Sequence, residues 1–97
     1  MEMPEFKFMS EIDKRTGEIL AVYFQIRRGK AVDVREIVDG TAYANYDSKG
    51  RLLGVELLGP CEVTALMQLT KKEPEKYKNR IKSFLKDSMP RKMALCS

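Results

Sequence analysis

The chain has 97 residues, 43 % hydrophobic and 33 % charged, with 18 Lys and Arg against 14 Asp and Glu and no histidine. A chain of this length forms one domain that buries about 60–65 % of the surface its unfolded form exposes, so it folds without staples. The lack of histidine excludes Ser-His-Asp, Cys-His and His-metal chemistry within the chain, and two cysteines, Cys61 and Cys96, are too few for a disulfide framework or a paired zinc site.

The first 59 residues alternate and turn as antiparallel strands do. "EFKFMSEI" places Phe6, Phe8 and Ile12 on one face. After a turn at Gly17, "EILAVYFQI" points Leu20, Val22, Phe24 and Ile26 one way and Ile19, Ala21, Tyr23 and Gln25 the other, the mark of a central strand. A turn at Gly29 leads to "AVDVREIV", half exposed, whose alternation slips at Glu36, Ile37 and Val38, the sign of a bulge or of the strand's end before Asp39-Gly40. "TAYANY" and "RLLGVELL" complete five strands, and their short connections predict a simple meander over residues 1–59.

From Pro60 the period changes to that of helices. "CEVTALMQLTKK" carries Val63, Leu66, Met67 and Thr70 on one stripe; Pro74 opens a second helix in which Tyr77, Ile81, Phe84 and Leu85 form another. Pro90 ends it, and 91–97 is expected to fray. The predicted fold is therefore α+β: an antiparallel meander of five strands followed by a helical pair, residues 60–90, packed on one face. That arrangement leaves Ile19 and Tyr23 uncovered on the opposite face, which predicts self-association.

One stretch imitates a metal site. "NYDSKGRLLGVE", Asn45 to Glu56, has the length and the glycine and glutamate placement of a calcium loop, but Lys49 stands where a fifth oxygen ligand is needed and the flanks are strands. As a hairpin every residue has a use: Asp47 caps the turn, Ser48 and Lys49 form it, and Gly50 takes the left-handed position. No metal or cofactor is expected.

The run from Ala21 to Pro60, "AVYFQIRRGKAVDVREIVDGTAYANYDSKGRLLGVELLGP", resembles a small bacterial family called domain of unknown function 2283. The likeness rests on the aliphatic-aromatic strand, the Gly turn, and the hairpin Asn45-Tyr46-Asp47, Gly50, Leu52-Leu53, Gly54, Val55, Glu56; it covers a little under half of the chain. Asn45 stands where the family's pattern has an acid, and Ile12-Asp13 where Tyr-Asp is usual. The resemblance implies a small sheet-rich fold, no established activity, and a protein partner such as a toxin-like neighbour.

Four acids, Glu36, Asp39, Asp47 and Glu56, surround the later strands, but nothing in their spacing brings two together, so they read as turn caps and exposed strand positions. Basic charge belongs to the C-terminal third: residues 1–59 hold nine Lys and Arg against ten acids, residues 60–97 nine against four. Lys71, Lys72, Lys76 and Arg80 are its candidate contact residues, and on the second helix Lys76, Lys78, Arg80, Lys82 and Lys86 spread around the arc left by Tyr77, Ile81, Phe84 and Leu85, as solvation would leave them. The expected function is a cytoplasmic, non-enzymatic interaction or regulatory module, antitoxin-like, binding a protein partner or itself; a nucleic-acid binder using the basic helices is the alternative. The N-terminal run lacks an apolar signal core, and every uncharged run falls short of the ~18–20 residues of a membrane span.

Overall fold

A computed structural model of the chain describes residues 4–95. Strands β1 (Lys7–Ile12), β2 (Ile19–Gln25), β3 (Asp33–Val38), β4 (Ala42–Tyr46) and β5 (Leu52–Leu57) form one antiparallel sheet in the order β1-β2-β5-β4-β3. The five expected strands are present, but they do not form a simple meander. After β2 the chain crosses to the far edge, and β3, β4 and β5 return as a meander whose last strand docks against β2. The physical reason lies in β5: its sequence, Leu-Leu-Gly-Val-Glu-Leu, buries every residue but Glu56, and only a central position covers both faces.

Two irregularities change which side chains face the core. Ile12 pairs with Ile19 and Glu11 with Ala21, so Leu20 is an extra residue in β2 and lies 47 % exposed. This bulge reverses the alternation, and Ile19 packs against the buried cluster instead of joining Tyr23 on the open face. The expected slip in β3 falls at Ile37, between the pairs Glu36–Tyr43 and Val38–Ala42.

Above one sheet face lie α1 (Val63–Gln68) and α2 (Glu75–Ser88). The expectation of two amphipathic helices reduces to one main helix and one short one. Residues 61 and 62 are held as a strand, β6 (Cys61–Glu62), paired in parallel with β7 (Ala94–Leu95), and beyond Gln68 the chain tightens into turns before Pro74. α2 buries Tyr77, Ile81 and Leu85, three members of the predicted stripe, against Val22, Phe24, Val55 and Leu57 of the sheet. Each such side chain contributes about 1.5–3 kcal/mol of burial. The tail expected to fray is ordered as far as Leu95: a 3-10 turn at Arg91–Met93 buries Met93, and that anchor carries β7 onto β6. Cys96 lies outside the described residues.

Candidate functional site

The β4–β5 turn is built around Asp47. The amides of Lys49 and Arg51 both donate to its Oδ1 at 2.9 Å, Arg51 Nε donates to Oδ2 at 2.9 Å, and Gly50 N–H donates to the Asp47 carbonyl at 3.0 Å. Gly50 has φ +78°, the left-handed value that closes such a turn. The Asp47 carboxyl is held below its ordinary value, first by the Arg51 amide, against the opposing effect of burial, and further by the Arg51 side chain. Its contribution to stability is fully present above the ordinary Asp value of 3.8 and is lost as pH falls through the lower folded value. Denaturation of the Asp47→Asn variant beside the native chain is expected to show a stability gap that narrows below about pH 4; a gap independent of pH contradicts this assignment.

Facing the turn is the α1–α2 loop, and a buried ion pair holds it in place. Arg27, just beyond β2, grips Glu73 with Nη2–Oε1 at 2.5 Å and Nη1–Oε2 at 3.4 Å, and its Nη1 also donates to the Leu52 carbonyl. Both side chains are under 10 % exposed. Pinning Glu73 fixes Lys71 and Lys72 before it and Pro74 after it.

Between turn and loop lie two adjoining depressions of about 490 Å³ and about 450 Å³ that share Lys49, Gly50, Lys72 and Glu73. Arg27, Arg51 and Lys76 line the first, Arg35 and Lys71 the second. Among the described residues Glu73 is the sole acid on these walls, and Arg27 already neutralises it. Arg51 is bound to Asp47, and Arg35 to Asp33 and the Tyr46 ring, whose centroid lies 4.6 Å from the guanidinium. Lys49, Lys71 and Lys72 form no ion pair with a described residue. Three unneutralised ammonium groups thus rim one groove, and the positive potential there favours an anionic occupant.

Three of the sequence-predicted contact residues, Lys71, Lys72 and Lys76, converge here. Arg80 does not: it lines a shallow depression beside Phe6 and Phe84. Ile19 is half-buried against the core cluster, and Tyr23 lies on the open sheet face beside Gly54, with Asn45 Nδ2 donating to its hydroxyl at 3.5 Å. Sequence reasoning missed Lys49, Arg51, Arg27 and Glu73. No local signal singles out Lys49 as a contact residue, because the turn it forms already accounts for it.

Of the four acids only Asp47 stands apart, while Glu36, Asp39 and Glu56 lie around Tyr43. Glu36 Oε2 accepts from Gly40 N–H at 2.9 Å and from the Tyr43 hydroxyl at 3.3 Å, so it caps a turn. The Tyr43 phenol is pushed up by its partial burial and then by the negative charges of Glu36, Asp39 and Glu56. Asp47 belongs to its own turn. No group of three or more His, Cys, Asp or Glu suited to a metal ion occurs among the described residues, and no helix there is long and apolar enough to cross a membrane.

Comparison with known proteins yields no match: no family model matches the chain, and neither does a curated protein or a solved structure.

Proposed function

We propose that the chain is a non-enzymatic interaction module that docks an acidic protein segment in the groove between the β4–β5 turn and the α1–α2 loop. The observation that carries this reading is the set of unpaired lysines, Lys49 on one wall and Lys71 and Lys72 on the other. Flexible ammonium groups on turns suit carboxylates presented by an extended peptide, where a planar bidentate clamp is not required. A nucleic-acid strand fits less well, because the aromatic rings nearby offer no stacking platform: Tyr77 is buried and Tyr46 is covered by Arg35. The resemblance of Ala21–Pro60 to domain of unknown function 2283 agrees with a partner-binding role, antitoxin-like or regulatory. A cytoplasmic setting belongs to the same proposal and accords with the free thiol of buried Cys61.

Fluorescence anisotropy at low salt with a short Asp/Glu-rich peptide, and in parallel with mixed-sequence oligonucleotides, tests it. The native chain is expected to bind the peptide, and reversing Lys49, Lys71 and Lys72 to Glu is expected to weaken binding by about 10–100-fold, with the effect shrinking as salt rises. Peptide binding unaffected by the triple reversal overturns the reading; tighter binding of oligonucleotides through the same lysines replaces it with the nucleic-acid alternative.

A further inference from the structure

β1 is a free edge of the sheet, and all six of its residues are exposed. Open edges are normally blunted by a bulge, a proline or a charge, since their unpaired amides and carbonyls invite another strand. β3, the opposite edge, carries the bulge at Ile37, and its Asp33 and Arg35 neutralise each other at 2.9 Å. β1 itself runs unbroken against β2, the extra residue of that pair belonging to β2. It contains no proline, and three of its side chains, Phe8, Met9 and Ile12, are large, apolar and exposed.

We propose that β1 pairs with β1 of a second copy about a two-fold axis through Met9, forming a continuous ten-stranded sheet. Backbone direction limits the possible registers. Glu5 N–H donates to the Ile26 carbonyl and Asp13 N–H to the Glu18 carbonyl, both toward β2. Alternation between them turns the amides and carbonyls of Phe8, Ser10 and Ile12 outward. A two-fold antiparallel pair must oppose residues of like direction, so a central axis passes through Met9 or through Ser10. Through Met9, Lys7 stands opposite Glu11 of the second copy and Glu11 opposite its Lys7, an attractive pair on each side of a Met9–Met9 contact. Through Ser10, Lys7 would need Asp13, which lies beyond β1 and whose Oδ1 already accepts the Arg15 and Thr16 amides. Neither Lys7 nor Glu11 has an ion-pair partner within its own chain among the described residues. The charges that would repel an arbitrary strand at this edge are thus self-complementary in one register, which commits the edge to a second copy. The axis is perpendicular to the sheet, so both helical layers lie on the same side.

Sedimentation velocity over a concentration series of the full chain reads this directly. A reversible monomer–dimer equilibrium is expected. Lys7→Glu and Glu11→Lys, each placing like charges opposite one another at both ends of the pair, are each expected to weaken it about tenfold, and the double variant to restore it. Both side chains are exposed, and circular dichroism of each variant is expected to match the native chain. A chain that stays monomeric throughout, dimerisation indifferent to the single reversals, or a double variant no tighter than the singles overturns the proposal. The groove lysines are untouched in every variant, so this test stands apart from that of the acidic-segment reading.

Discussion

Glu73→Ala is expected to reduce the unfolding free energy by about 3–5 kcal/mol, because it leaves the Arg27 guanidinium buried without its carboxylate. For a domain of this size the loss is a large part of a total of about 5–15 kcal/mol. The cost comes from the stranded charge more than from the lost attraction. Replacing both partners together, Arg27→Met with Glu73→Leu, is therefore expected to recover most of it. Urea denaturation of the two single variants and the double measures the coupling; additive losses would show that Arg27 and Glu73 act independently. The double variant also has a functional consequence. It removes the clasp that holds Lys71 and Lys72 against the β4–β5 turn, so peptide affinity is expected to fall even where stability is regained.

Phe24→Ala is expected to cost a similar amount, about 3–5 kcal/mol, through the cavity it opens. Phe24 is fully buried at the centre of an aromatic cluster: Phe8 lies tilted against it at 5.3 Å between ring centroids, and Phe84 of α2 meets it edge-on at 6.0 Å. Phe6 in turn stacks on Phe84 with ring centroids 4.7 Å apart. One ring thus ties β1, β2 and α2 together, and its removal is expected to loosen both the helix and the β1 edge. Thermal denaturation followed by circular dichroism checks this, with Phe24→Leu expected to retain most of the stability. A loss below about 1 kcal/mol for Phe24→Ala would show that the helix collapses onto the sheet to fill the space.

Much of the fold was legible in local pattern. Period-two alternation marks the five strands, the slip at Glu36–Val38 marks a true bulge, and the stripe of Tyr77, Ile81 and Leu85 marks α2. Strand order was not legible from connection length, although the apolar residues on both faces of β5, broken only by Glu56, are what a central position requires. The bulge at Leu20 was invisible because Leu20 and Ile19 are both apolar, so either could face the core. The groove is a tertiary object. Lys49 and Lys72 lie far apart in the chain, and the Arg27–Glu73 clasp, itself formed across 46 positions, helps hold the loop that carries Lys72 beside the turn that carries Lys49. A charge count over the C-terminal third saw the excess of lysine but missed the wall contributed by the β4–β5 turn.

Amide chemical-shift mapping of the native chain titrated with the Asp/Glu-rich peptide tests the groove most directly. Saturable shifts are expected at Lys49, Gly50, Arg51 and 71–73, with the open sheet face around Tyr23, Tyr43 and Glu56 unmoved. Shifts confined to that sheet face or to the β1 edge, or none at low salt, would contradict it.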